Sequence, residues 1–416
     1  MNKILLYPLI FLFYFFFLKD GLTGPLWIQA SSGTTNNLYK ITLNNNSTGW
    51  IVGGNGTVLK TTNLNDWYDI SDLFSSSNLR GQDIYFVNSL TGYISFTGIG
   101  AKVYKTSNGG NNWTLLWYPS WGITRISFIN SNTGFAIGND FNNGGHVYKT
   151  INGGLNWQDA YTSTGELYTL QVLNQSNVFI GGSSGLWRST NIGNSWEPLL
   201  SNININDVNF YDSNLGIAVG SSGRIRRTTN AGYTWSSFNN YTTENIYAVK
   251  NLNSSDTYFA GNSGKFFKLY FLINNSNAAN TDLTISGAGP LNSLFFLNEN
   301  TGWVVGNSGR IYKSTNANVN IRSLSTTIPS KYKLFTNYPN PFNPTTKIKF
   351  DLPQNSFVKI NIFDITGRII SELANTNLQP GSYETEFNGA NLSSGVYYYR
   401  IEANSFSDTK KMILVK

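Results

Sequence analysis

Short apolar runs separated by Gly- and Asn-rich breaks recur along most of the chain. The cleanest reads Gly216-Ile217-Ala218-Val219-Gly220, breaks at Ser221-Ser222-Gly223, and continues as Arg224-Ile225-Arg226-Arg227-Thr228. A second break follows, Thr229-Asn230-Ala231-Gly232-Tyr233-Thr234-Trp235. Apolar or alternating runs of this length, bounded by turn residues, predict strands. Gly takes φ > 0 freely, and Asn tolerates it while bonding nearby backbone, so both breaks predict tight turns. The unit is three strands joined by two hairpins, with a fourth strand after the Trp.

The unit has seven copies. Gly49-Trp50-Ile51-Val52-Gly53 opens one that ends at Trp67, and Gly92-Tyr93-Ile94 opens the next, ending at Trp113. Gly134-Phe135-Ala136-Ile137-Gly138 leads to Trp157, and Val178-Phe179-Ile180-Gly181 leads to Trp196. Tyr258-Phe259-Ala260-Gly261 and Gly302-Trp303-Val304-Val305-Gly306 open two copies without the closing Trp. The spacings Gly49 to Gly92 to Gly134 are 43 and 42 residues, and Trp157 to Trp196 to Trp235 are 39 and 39. A period near 40–45 with four short strands predicts an all-β fold, a seven-bladed β-propeller.

The expected propeller spans residues 25–325. Leu26-Trp27-Ile28-Gln29-Ala30 resembles the fourth strand of the inner copies, and the seventh copy has Asn316-Ala317-Asn318 where its Trp belongs. Either the Trp27 strand completes the seventh blade, or residues 318–324 do so themselves. Protection of an open edge favours the first. A Ser/Thr/Lys-rich stretch, 326–336, reads as a linker. From Asn337 to Lys416, alternating strands such as Lys347–Leu352, Val358–Phe363 and Gly395–Ile401 predict a small immunoglobulin-like β-sandwich.

Composition narrows the chemistry. Charged residues are 12% and aromatics 15%, which fits a folded β-rich chain rather than a disordered one. With no cysteine, disulfides and thiolate chemistry are excluded. A net charge of +7 gives a mild preference for anionic partners. Met1-Asn2-Lys3, the apolar run Ile4–Leu18 and Lys19-Asp20 read as a signal peptide over residues 1–24. The run is short for a membrane span; a retained N-terminal anchor is the alternative.

Two features stand out as candidate contacts. The position opening the third strand is Thr57, Lys102, His146, Arg224, Lys265 and Arg310, with Gly185 in the shorter fourth copy. Arg224, Lys265 and Arg310 fall in consecutive copies and predict a basic arc suited to an anion, or else a solvated rim. Trp117, Tyr118 and Trp121 crowd one short connection and predict a stacking surface, or else packing between blades. In contrast, a basic residue recurs in every copy (Lys60, Lys105, Lys149, Arg188, Arg227, Lys268, Lys313) and reads as structural. The loop Gly138–Gly145 has one carboxylate, too few for calcium. No cofactor or metal is expected. The acidic residues are scattered, so no glycosidase pair is visible, and the single His146 occupies a repeat position.

The turn Thr229-Asn230-Ala231-Gly232-Tyr233-Thr234-Trp235 and its relatives resemble the Asp-box of sialidase-type (BNR) repeats, with Asn for Asp. With the Gly-x-x-Gly break, the pattern resembles propellers of the photosystem II stability/assembly factor type. In those families the box is a structural turn. Residues 337–416 resemble the type A C-terminal sorting domain of the type IX secretion system, through Asn337-Tyr338-Pro339-Asn340-Pro341-Phe342-Asn343-Pro344, Val358–Arg368, Leu392–Tyr398 and Lys410–Lys416. This resemblance implies export, the secretion machinery as partner, and release or surface attachment. The resulting expectation is a secreted or cell-surface, non-catalytic propeller that binds a glycan or protein and no nucleic acid. The alternatives are a sialidase-type hydrolase and an assembly factor for a membrane complex.

Overall fold

The computed structural model describes residues 27–74, 78–238, 240–271, 278–298, 300–314, 321–325, 328–378, 380–389 and 392–416. The signal-peptide reading of residues 1–24 lies outside the described residues. Two compact units result, one within Pro25–Asn318 and one within Val319–Lys416.

Among the described residues, the first unit holds seven four-stranded antiparallel sheets. Their first strands, Leu38–Leu43, Arg80–Phe86, Gly122–Phe128, Leu167–Val172, Ile205–Phe210, Ile246–Asn251 and Leu291–Phe296, each pack on the next, and the last packs on the first. We number the sheets one to seven in that order. The second strands Gly49–Gly53 and Gly216–Gly220 are buried at every position. Each is covered on both faces by neighbouring sheets, which explains why the sequence shows continuous apolar runs here and not alternation.

The seventh sheet is completed from the far end of the unit. Ile28–Ala30 pairs antiparallel with Ile311–Lys313. Trp27 anchors this strand, its ring 4.8 Å edge-on from Phe266 and 5.9 Å from Phe296. Residues 321–325 go elsewhere: Ile321–Ser325 pairs with the strand Gly381–Asn388 of the second unit. The boundary drawn at 325 therefore belongs at 318. Nor is 326–336 a bare linker, since Lys333–Leu334 pairs with Phe350–Asp351. These two strands are too short for their own pattern to reveal which sheet takes them.

First strands are edges, so their outward N–H groups lack a strand partner. Polar side chains of the preceding sheet supply it. Asp83 Oδ2 accepts from Ile126 N at 2.7 Å, and Asp207 Oδ2 from Val249 N at 3.0 Å. Gln171 Oε1 accepts from Phe210 N at 2.9 Å, and Asn209 Oδ1 from Asn251 N at 2.9 Å. In return, Asn206 and Asn292 donate to Ile246 O and Leu38 O, each at 2.8 Å. Polar residues on these strands thus fasten sheet to sheet, and buried backbone groups stay paired.

The second unit has two four-stranded antiparallel sheets whose residues share one core. Alternation is clean here: Ile348, Phe350 and Leu352 are fully buried, while Lys347 and Lys349 are exposed. The Pro-rich opening is tied down. Asn337 N donates to the buried Tyr399 hydroxyl at 2.8 Å, and Asn337 Nδ2 donates to Thr346 Oγ1 at 2.9 Å. Phe342 packs on Phe387 and trades backbone hydrogen bonds with Ile413 and Val415, holding the final strand.

Candidate functional site

Each sheet of the first unit has two ends. One carries the start of the first strand and the turn between strands two and three; we call it the turn end. The other carries the Asn-x-Gly boxes.

The box end is built for cohesion. Thr228 Oγ1 accepts from Gly232 N at 2.9 Å, and Asn230 Oδ1 accepts from Thr234 N at 3.0 Å. The same bonds recur at Thr106/Asn108, Thr150/Asn152 and Ser189/Asn191. Each box glycine presses on an aromatic ring of the preceding sheet. A Cβ at Gly110 would lie 2.2 Å from the Trp50 ring, and one at Gly193 2.5 Å from Phe135. Several of the recurrent basic residues cap the next sheet's box: Lys105 Nζ donates to Gly153 O at 2.7 Å, Arg188 Nη1 to Ala231 O at 2.8 Å, and Lys313 Nζ to Asn65 Oδ1 at 2.7 Å. Lys60 lies 4.7 Å over the Trp50 ring. Chemistry repeated in this way commits these box-end polar groups to holding the sheets together.

Arg224, Lys265 and Arg310 occupy equivalent turn-end positions in sheets five, six and seven. Their surroundings differ. Lys265 Nζ sits 2.8 Å from Asp282 Oδ2, and this contact helps hold the Asp282 carboxyl below its ordinary range against the opposing effect of burial. Arg310 Nη1 donates to Gly287 O. The Arg224 side chain makes no hydrogen bond or ion pair among the described residues, and its charge adds to burial in lowering the Arg226 guanidinium's pKa. The turn N–H groups that a bound anion would use are already engaged. Gly264 N donates to Gly289 O at 2.6 Å, Gly309 N to Asn36 O at 2.8 Å, and Ser222 N to Asn245 Oδ1 at 3.0 Å. Any recognition by the arc falls to side chains.

The aromatic connection divides. Trp117 is taken up in packing, stacked 5.1 Å from Trp157 and edge-on 5.2 Å from Tyr148. Burial there pushes the Tyr148 hydroxyl up to about 12. Tyr118 is 65% exposed. Trp121 stacks on His146 at 5.8 Å and meets Phe141 edge-on at 5.6 Å. Phe141, 85% exposed, belongs to the inserted loop of sheet three. That loop is ordered by Asp140, whose Oδ1 accepts from Asn142 N and Gly144 N, each at 2.8 Å. Asp140 Oδ2 lies 3.2 Å from His146 Nε2. The Gly144 N–H, then His146, then the Asn142 N–H hold the Asp140 carboxyl below its ordinary range. Sequence reading passed over Asp140, Phe141 and His146 as site residues. The available signal was the loop's extra length in an otherwise regular repeat.

Among the described residues, no group of three or more His, Asp or Glu side chains could hold a metal. The carboxylates Asp83 and Asp207, on the first strands of sheets two and five, each accept from a backbone N–H of the next sheet through Oδ2.

The strand order of the second unit, its tied Pro-rich opening and its basic-apolar last strand carry every motif quoted for the export resemblance. Residues 336–416 match the family described as "Secretion system C-terminal sorting domain". The sorting domain thus spans six of the eight described strands of the second unit and indicates export by type IX secretion to the cell surface or beyond. The first unit resembles solved propellers. "YCF48 bound to D1 peptide" is 16% identical at a TM-score of 0.59, covering 71% of this chain and 99% of that one. "YCF48 from Cyanidioschyzon merolae" is 17% identical at 0.57, covering 69% and 98%. The WD40 β-propeller domain of Doa1 is 11% identical at 0.54, covering 69% and 97%. At such identities the likeness establishes the β-propeller fold alone. No curated protein is similar to the chain in sequence.

Proposed function

We propose that this chain is a seven-bladed, non-catalytic binding propeller, delivered outside the cell by an immunoglobulin-like sorting domain, whose turn end faces its ligand. The single observation behind the reading is the contrast between the two ends. The recurrent box-end polar groups are engaged within and between the boxes, whereas Arg224, Tyr118 and Trp121 stand at the turn end with exposed or half-exposed side chains. Lys265 and Arg310 extend the positive potential. The ligand is an acidic chain, polysaccharide or polypeptide, and the D1 peptide bound by one of the similar propellers is in keeping with the latter. Neither the hydrolase nor the membrane-assembly alternative gains support: Asp83 and Asp207 accept from backbone N–H groups between sheets, and a sorting tail carries the protein away from the inner membrane.

Two experiments test the reading. Deleting residues 336–416 should leave the propeller in the periplasm, as read by cell fractionation; normal surface delivery of the truncated chain would refute the sorting role. In the full chain, Arg224→Glu with Arg310→Glu should cut retention on an acidic polysaccharide column at least about tenfold at low salt, as expected for a screened electrostatic contact. Unchanged retention would remove the arc from the ligand face.

A further inference from the structure

We propose that the turn end between sheets two and three carries a binding site for a neutral hexose oligosaccharide, built on Trp121 and Phe141. It rests on reading the turn end as the ligand face, but is independent of the basic arc.

Three departures from the repeat meet at one point. The turn after the second strand is a three-residue stretch in sheets one, five and six; in sheet three it grows into the loop Asp140–Gly144. The connection into sheet three gains Tyr118 and Trp121. The opening position of the third strand holds the chain's one histidine, His146. Trp121 touches both of the others, His146 by stacking and Phe141 edge-on. Sites are grafted onto repeats by such local departures. The sheets stand without them, so cohesion does not explain the loop.

The surrounding chemistry selects the ligand. Phe141 and Tyr118 offer exposed ring surface beside the exposed side chains of Ser120, Asn142 and Asn143. The segments Tyr118–Gly122 and Asn139–His146 contain no Lys or Arg. A pyranose presents a face of C–H groups to an aromatic ring and hydroxyls at its rim to amides and hydroxyls, each able to donate and accept. These two segments offer a charged ligand no Lys or Arg partner. The Asp140 bonds to Asn142 N and Gly144 N fix the loop in advance, which lowers the entropic cost of binding.

The test uses the full chain, titrated calorimetrically with six-unit gluco-, manno- and galacto-oligosaccharides. At least one should bind saturably at one site. Phe141→Ala should weaken it at least about tenfold without moving the melting temperature, since an exposed side chain contributes little to stability. Phe141→Tyr should restore binding, and Arg224→Ala should leave it unchanged. The proposal is overturned if no oligosaccharide saturates below about 10 mM or if Phe141→Ala binds like the parent. Selection of a displayed peptide that needs Phe141, with no sugar bound, would overturn it in favour of a polypeptide ligand.

Discussion

The turn after the second strand differs from sheet to sheet, and sheets five and three stand in contrast. In sheet five it is Ser221–Gly223, with Ser222 and Gly223 both at positive φ. A Cβ on Gly223 would lie 1.7 Å from Thr242 O of the chain leading into sheet six. That turn is part of the joint between sheets, and only glycine lets the two backbones approach so closely. In sheet three the same place holds a five-residue loop, and a Cβ on Gly144 would meet first the Asp140 carboxylate, at 2.7 Å. The loop is braced by its own side chain and leaves Phe141 in solvent. One frame position is therefore an interface in one sheet and a free surface in another. Where the repeat is most regular, its atoms are most fully committed to holding the ring together.

Substitutions can break this contrast. Gly223→Ala should have the largest effect, about 2–5 kcal/mol of destabilisation, from a left-handed backbone without glycine and a clash with neighbouring backbone. Urea melting measures it, and a loss below about 1 kcal/mol would show the joint to be soft. Asp207→Ala comes next. It strips acceptors from Val208 N, Val249 N and the Thr169 hydroxyl, and should cost about 2–3 kcal/mol by the same measurement. Gly144→Ala should cost at most about 1 kcal/mol, because its φ is ordinary and the atom it meets belongs to a side chain that can shift. Equal losses for Gly144→Ala and Gly223→Ala would erase the distinction between the two turns.

The smallest effect is confined to the loop. Asp140's folded pKa is depressed, so its contribution is present above the unfolded value and is lost as pH falls through the folded one. Backbone amide shifts of Asn142 and Gly144, followed by NMR from about pH 6 to 2, should move with a midpoint below the ordinary carboxylate value. The Ser221–Gly223 turn contains no carboxylate and should not follow that transition. A midpoint at or above the ordinary value would mean that the N–H groups do not brace the loop.

Much of this was legible from local pattern. Apolar runs between Gly and Asn breaks gave strands and turns, because a turn's dihedral needs are met by the residues in the turn itself. The seventh sheet's missing strand was legible in Trp27 for a related reason: a repeat exposes its own gaps. The recurrent basic residues could be read as structural, but not aimed, since the boxes capped by Lys105, Arg188 and Lys313 lie in the next sheet. Polar residues on the first strands gave no hint that they fasten neighbours. Asp83 and Asp207 look like any scattered carboxylates until the orphan N–H groups of Ile126 and Val249 are brought beside them.

By itself, then, the sequence settled the strands, their turns, the repeat length and the sorting tail, all of which depend on residues close together along the chain. Tertiary structure alone decided that Ile321–Ser325 joins the second unit, that Trp117 is packed while Tyr118 is exposed, and that Trp121, Phe141 and His146 meet. Those outcomes depend on which edges and faces lie within a few ångströms of one another after folding. Local propensity carries no record of that distance.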